Sequence, residues 1–529
     1  MQPHTTPHFT LSVPEITIKI LGELSVINLL SAALVCKDWS WKATDTRWRW
    51  HPVKLSLLLS KLAPLEDYSR DGGALDENET LNLVLRLQAL SRQEWIDFRT
   101  RYAEKVTHLE VDHPFLPKYV LLFPIWTQDL GPMCPQIHTL HFLGDGEIGI
   151  EDVPTWSAAL ALITLPVPSL KISNWIEPDD ALDWLTATRA ELIQTVDIKI
   201  HDIHPTYSKF TNLTGLTLGG TISFHSWKRV ALGCRELQDL HLTIGHFDRD
   251  DNDALKGQRA IFPSLINFSL AFLFRISANN QDALRMCLQK SEMPSLRSFS
   301  FHNLDLSTGY VVEVARWLQG MKALEVFKFE VVKPVRLLSI FFQLPSLAVI
   351  SVQSSHGWLD ASDVDLESLG QGQDRLKELC VEQSPSGSDC THGATCTLSG
   401  FLNLAGHPYS NTLEILTISV RATHNYNFPE VFPILPSLQT LRFQHLEIDV
   451  SQEAAFATLL AKLCPNLRSL SIRCLYLRGS YQVAPSTLLE QIFWRERTRF
   501  SPPSWIHTSN LTTSSKPSLP LTTASTSRQ

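Results

Sequence analysis

The sequence predicts an α/β chain in which a short N-terminal bundle of three helices precedes a curved solenoid, each unit of the solenoid holding one short parallel strand and one helix. Three observations predict it. A six-residue phrase, apolar-x-x-apolar-x-apolar, returns fourteen times between residues 106 and 472. Stretches between the phrases carry apolar residues at helical spacing. Residues 11–39 carry instead the cap residues and periodicities of short helices.

The N-terminal elements come first. Ser12 and Glu15 have capping-box spacing, and Pro14 falls in the first turn, where a missing N–H costs nothing. Ile16, Ile20 and Leu24 then recur every fourth residue on one helical face. Ser25 is placed to cap a second helix whose apolar face holds Leu29, Leu30 and Ala33, and a third runs through Cys36, Trp39 and Ala43. Helices this short are marginal alone, so they must pack together or on a partner.

These residues resemble the F-box. The family pattern is met by Pro14-Glu15, Ile20-Leu21, Leu24, Leu29-Leu30, Val35-Cys36-Lys37-Asp38-Trp39 and Trp48-Arg49, with Val13 where Leu is usual and Gly22 inside the first helix. The resemblance covers residues 11–52. It implies binding to a Skp-type adaptor and, through it, to a cullin. Ile20, Leu21, Leu24, Leu29, Leu30, Val35 and Trp39 would form the contact, with Pro14 and Glu15 setting the first helix and Cys36 and Trp48 completing the pattern. Such a module works by positioning, raising the local concentration of a bound target, and supplies no acid, base or nucleophile.

Residues 53–105 read as a helical linker and cap. Residues 66–80 are polar and contain glycine, as a surface loop does. Residues 81–104 are expected to be helical, with Trp95, Phe98 and Tyr102 forming an aromatic stripe on the core side. The run into the first strand resembles the junction in large fungal F-box families.

The solenoid is expected over 106–499. Its phrases open at Val106, Ile137, Val167, Ile193, Leu213, Leu237, Leu265, Leu296, Leu324, Leu347, Leu376, Leu413, Leu438 and Leu467, about 28 residues apart on average. This spacing is similar to that of leucine-rich repeats. Pro135, Pro168, Pro263, Pro294, Pro345, Pro436 and Pro465 sit at or just before a phrase, where proline stops a helix and starts an extended segment. Val311, Val314, Ala315 and Leu318 fit a helix, as do Phe456, Leu459, Leu460 and Leu463. The asparagine ladder of the family is missing; Leu304 stands at one expected ladder position.

Alternation along each strand points positions four and six of the phrase into the core and positions three and five onto the concave face. That face holds small polar residues and charges of both signs. Arg442 is the single arginine at position five, so no phosphate-specific pocket is expected there.

Composition excludes several classes. The net charge is −8 and the pI about 6.2, which argues against nucleic acid as a partner. No apolar run is long enough to span a membrane, and residues 1–10 lack the pattern of a secretory signal. Nine cysteines without framework spacing read as reduced thiols, hence a cytoplasmic or nuclear protein. Gly144, Gly146 and Gly149 spell a dinucleotide-binding pattern, but Asp145 and Glu147 would set negative charge beside a phosphate. Cys390, His392 and Cys396 lack zinc-ligand spacing, and the acidic run at Asp248, Asp250, Asp251 and Asp253 lacks the calcium-loop offsets. No cofactor, metal or catalytic residue is expected. Residues 500–529 are rich in Ser and Thr and are expected to be disordered. The function expected is that of a substrate receptor in a Skp–cullin–F-box ubiquitin ligase, binding an unknown target on the solenoid. The alternative is a binding scaffold that does not deliver targets for ubiquitination.

Overall fold

A computed structural model describes residues 14–62, 85–111, 120–121, 123–143, 162–163, 168–173, 190–202, 210–248, 259–272, 284–285, 287–304, 308–331, 344, 347–354, 363–369, 374–383, 396–421, 433–478 and 487–500. The tail beyond residue 500, Ser12, and the patterns at 144–149 and 390–392 lie outside the described residues.

The strands are β1 (Val53–Lys54), β2 (His108–Val111), β3 (Thr139–Leu143), β4 (Ser169–Ser173), β5 (Thr195–Asp202), β6 (Gly215–Ser223), β7 (Asp239–Asp248), β8 (Ala260–Ile261), β9 (Asn267–Phe272), β10 (Ser291–Glu292), β11 (Ser298–Leu304), β12 (Val326–Val331), β13 (Val349–Ser354), β14 (Glu378–Gln383), β15 (Cys396–Thr397), β16 (Ile415–Arg421), β17 (Thr440–Asp449) and β18 (Ser469–Arg478). Sixteen of them form one sheet, and β8 pairs separately with β10. All pairings are parallel, and the sheet follows sequence order, with β15 attached to the side of β16.

The fourteen phrases supply β2–β7, β9, β11–β14 and β16–β18, and they are in register along the sheet. Position four forms one row: Leu109, Leu140, Leu170, Val196, Leu216, Leu240 and Phe268 continue into Phe299, Phe327, Ile350, Leu379, Leu416, Leu441 and Leu470. Every member is buried. A strand shifted by one residue would turn its leucines outward, so burial of one face fixes the register. In the middle of the array the layers are aromatic: Phe299 stacks with Phe327 and Phe301 with Phe329.

A recurring turn feeds each strand. Three residues before the phrase stands a buried anchor, as at Phe210, Cys234, Met293, Leu435 and Cys464, whose carbonyl accepts the N–H of the first phrase residue at 3.2–3.3 Å. Pro294, Pro436 and Pro465 directly follow three of these anchors, at the turn position where their fixed φ fits. The residue after the proline reaches back one unit. Ser295 Oγ donates to Pro263 O and Asn466 Nδ2 to Pro436 O, both at 2.7 Å, and Asn212 Nδ2 repeats this with Glu191 O. These contacts replace the asparagine ladder that the phrases lack.

Helices follow β6 (Phe224–Gly233), β11 (Thr308–Gln319), β13 (Asp363–Ser368), β15 (Leu398–Asn403) and β17 (Glu453–Leu463). Val314, Ala315 and Leu318 are buried, as are Phe456, Leu459, Leu460 and Leu463, so the residues at helical spacing form the buried faces of these two helices. Asp363 ties two helices together. Its carboxylate accepts the Thr397 N–H at 2.8 Å and the Thr397 hydroxyl at 2.5 Å, and Thr397 in turn caps the helix it opens through Gly400 N–H. A Cβ on Gly400 would overlap Asp363 Oδ1, so close approach requires glycine there. A last helix, Thr487–Phe500, buries Leu489 and Phe493, and its Glu490 carboxylate accepts the outward-facing N–H of Ile472 at 3.1 Å.

Two expectations for residues 53–105 change. The segment is not wholly helical, because Val53 pairs with Leu109 and Lys54 with Glu110, so the sheet begins at residue 53. The helix expected over 81–104 is broken before Ser91. Ser91 and Glu94 form a capping box that starts a new helix at Arg92, ended at Arg101. The Ser91 hydroxyl and N–H, with Arg86, hold the Glu94 carboxyl down at about 2. The aromatic stripe is core, as expected: Trp95 and Phe98 are buried, and Trp95 meets Phe123 edge-on at 4.8 Å.

Candidate functional site

Three helices precede the sheet: α1 (Pro14–Gly22), α2 (Val26–Ala33) and α3 (Lys37–Trp50). Each start has a local cause. Pro14 opens α1 with Glu15 in its first turn, where negative charge suits the helix dipole. Ser25 Oγ accepts the Asn28 N–H and caps α2. Cys36 stands at the start of α3 without a side-chain bond, and Asp38 in the first turn pairs with Lys42 at 2.7 Å.

The expected contact residues divide by burial. Leu21 and Leu29 are 0% and 2% exposed and form, with Ala32 and Ala43, the small core of the helical unit. Leu24 and Trp39 are partly buried against that core. Trp48 is buried in the main core and touches Tyr102 at 5.1 Å. Pro14, Glu15, Ile20, Leu30, Val35 and Cys36 are exposed. The pattern residues therefore serve two tasks: one set closes the unit, the other is left for solvent or a partner.

The exposed set is larger than the sequence pattern. Ile27 and Leu30 on α2 and Leu34 at its C-cap are spaced i, i+3, i+7 and are 76%, 63% and 87% exposed. Leu29, Ala32 and Ala33 occupy the opposite side of the same helix. Thus α2 is apolar on two faces and has only one of them covered. Ile16 and Ile20, one turn apart on α1, and Val35 after α2 add to the exposed apolar surface, as do Trp41 and Trp50 on α3. These exposed apolar side chains are the candidate contact of the helical unit. Ile27, Leu34, Trp41 and Trp50 stand outside the sequence pattern; the signal available for Ile27 was that Asn28 and Ser31 are the only polar residues of α2, VINLLSAA.

The helical unit is joined firmly to the solenoid. The chain passes from α3 into β1 with only His51 and Pro52 between them. Asp45 bridges Arg49 at 2.8 Å and Lys105 at 3.0 Å, Arg47 donates to Pro52 O, and Thr107 Oγ1 donates to Arg49 O.

The concave face is polar and cross-linked between strands. His141 lies 3.7 Å from Glu110, Lys171 3.5 Å from Asp197, His302 3.2 Å from Glu330 and Arg421 3.0 Å from Glu447. Burial, and then Lys171, hold His141 below the usual imidazole range despite Glu110. Contrary to the simple alternation, Ser351, Cys380 and Thr417 at position five are buried. They bond to one another through Cys380, whose thiol burial pushes up to about 12, and Gln444 reaches across β16 to donate to Glu382 at 3.1 Å. Burial likewise pushes up the thiols of Cys134, Cys234, Cys396 and Cys464, so these are inert packing groups. Among the described residues, no three His, Cys, Asp or Glu side chains are grouped to hold a metal, and no helix is long and apolar enough to cross a membrane.

Comparison with known proteins gives likenesses of fold. No family model matches the chain, and no curated protein does. Many solved structures resemble it, among them the following three. An internalin (InlF) from Listeria monocytogenes is 15% identical, with 64% of this chain and 81% of that one covered and a TM-score of 0.34. The Rad7–Elc1 complex from yeast is 13% identical over 87% of this chain and 94% of that one, with a TM-score of 0.28. The leucine-rich-repeat protein LegL7 from Legionella pneumophila is 14% identical over 70% and 92%, also at 0.28. The in-register parallel sheet itself makes this chain an α/β solenoid of the leucine-rich-repeat kind.

Proposed function

We propose that this protein is a non-catalytic substrate receptor of a Skp–cullin–F-box ubiquitin ligase, acting in the cytoplasm or nucleus. The helical unit is an F-box that docks a Skp-type adaptor and, through it, a cullin; the concave face of the solenoid takes a target protein. The observation that carries the reading is the uncovered stripe Ile27–Leu30–Leu34, set on a three-helix unit whose residues follow the F-box order. A helix apolar on both sides with one of them in water gains free energy when a partner covers the open side. Short linkage through His51 and Pro52 would then hold a target at a fixed place relative to the conjugating enzyme, which is the source of rate in such an assembly.

The test is affinity purification of the full chain against a form lacking residues 14–50, read by mass spectrometry. Recovery of a Skp-type adaptor and a cullin with the full chain alone supports the reading. Recovery of neither reduces the helical unit to a cap on the solenoid. Recovery of the adaptor without a cullin favours the second reading, a scaffold that delivers nothing for ubiquitination.

A further inference from the structure

We infer that the C-terminal end of the concave face holds a carboxylate-bearing segment of a partner protein between Arg442 and Arg473. This goes beyond the proposed adaptor function and rests only on the solenoid being a binding surface.

Among the described residues, the cations of the concave face are of three kinds: ones paired with a carboxylate, the single exposed Lys328, and an adjacent pair of arginines. Lys171 and Arg421 are neutralised by Asp197 and Glu447 on the neighbouring strand. Arg442 on β17 and Arg473 on β18 are exposed, and among the described residues no carboxylate lies within ion-pair distance of either. In a chain of net charge −8, two adjacent guanidiniums left without a counter-ion are a local exception.

Their placement is built. Arg473 donates to Gln444 Oε1 at 3.4 Å, and Gln444, itself buried, is fixed by donating to Glu382. This relay uses one corner of the Arg473 guanidinium and leaves the rest of its fork open. Arg442 is in register with Ser471, and Thr440 with Ser469, so hydroxyls surround the pair. Ser469 and Ser471 are exposed like the arginines.

Spacing decides between one anion and two. Arg442 and Arg473 stand one strand apart and two residues along, which separates their Cα atoms by about 8 Å. Alternate side chains of an extended peptide are about 7 Å apart. Two carboxylates at i and i+2 of an extended segment therefore meet one arginine each, as bidentate pairs. A single phosphate would need both forks to converge on it, whereas the bond to Gln444 holds the Arg473 fork two residues along β17 from Arg442.

The experiment uses the full chain and fluorescence anisotropy with three labelled peptides of equal length: one with Glu at alternate positions, one with Gln there, and one with a single phosphoserine among Gln. Saturable binding of the Glu peptide alone is expected. Arg442→Ala with Arg473→Ala should weaken it by about a hundredfold, and Gln444→Ala by about tenfold through loss of orientation. Lys328→Ala removes an exposed cation elsewhere on the same face and should change affinity less than about twofold. Circular dichroism and the melting temperature establish that each variant is folded. Absence of saturable binding, equal loss in Lys328→Ala, an unchanged double variant, or binding confined to the phosphopeptide each overturns the inference. Gln substitutions at Leu30 and Leu34 leave this binding intact, so failure of the adaptor reading and failure of this one are separable.

Discussion

Replacing Ile27, Leu30 and Leu34 together by Gln tests whether the open stripe of α2 is the adaptor contact. The three side chains are on average about three-quarters exposed, so covering them removes from water the equivalent of about two whole aliphatic side chains. At roughly 1.5–3 kcal/mol for each, the stripe offers about 3–6 kcal/mol to a partner. Part of this is spent on ordering the interface, and a loss of about 3 kcal/mol is expected, equal to a Kd weakened on the order of a hundredfold. Gln is a good helix former, and none of the three positions is buried, so the isolated protein should keep its melting temperature within a degree or two. Isothermal titration calorimetry against a purified Skp-type adaptor measures the loss, and circular dichroism measures the fold. An affinity within about threefold of the parent, with the helices intact, would refute the assignment of this face.

Leu29→Ala should abolish the same binding by another route. It empties a core with few fully buried apolar side chains, at about 2–5 kcal/mol, so amides of residues 14–35 should lose hydrogen-exchange protection while those of β2–β18 keep theirs. Gly400→Ala should force Asp363 from Thr397 and cost about 1–3 kcal/mol; a melting temperature equal to the parent's would contradict the close approach seen there. Glu453 is raised above its ordinary value by burial, and its Oε1 is unpartnered, so ionisation opposes folding at neutral pH. That cost is lifted as pH falls through the raised folded value towards 4.5. Glu453→Gln should therefore melt higher than the parent at pH 7 and equal to it near pH 4; a constant difference across this range in calorimetry would exclude the effect.

Periodicity made the solenoid legible. Each phrase repeats the same six positions, and the physics of a one-sided sheet then fixes which of them are buried, so all fourteen phrases are strands with position four in the core. The turn ladder was not found. Its donors, Ser295, Asn466 and Asn212, differ in type and stand outside the phrase, and only the three-dimensional stacking of turns gives them a common acceptor. The strand at Val53 was missed because two residues carry no alternation to detect. In the helical unit, apolar identity was visible but direction was not. Leu29 and Leu30 are neighbours in sequence, yet a step of one residue turns the side chain by about 100°, sending one into the core and the other into water. Burial of Ser351, Cys380 and Thr417 could not be read, since it depends on side chains that reach over from other strands.

The bond from Ile472 to Glu490 has a consequence for any shortened form of this protein. A parallel sheet that grows by one strand per unit has no natural end: its last strand offers the same hydrogen-bonding edge on which every earlier strand was laid down. β18 is ten residues long and carries leucine and isoleucine on its buried side, so with the final helix removed it would present a sticky template to the first strand of any other molecule. The Glu490 carboxylate, brought to that edge by the final helix, takes one of the N–H groups that a further strand would use. Chains ending shortly after residue 478 are for that reason expected to form fibrous aggregates rather than a shorter soluble receptor.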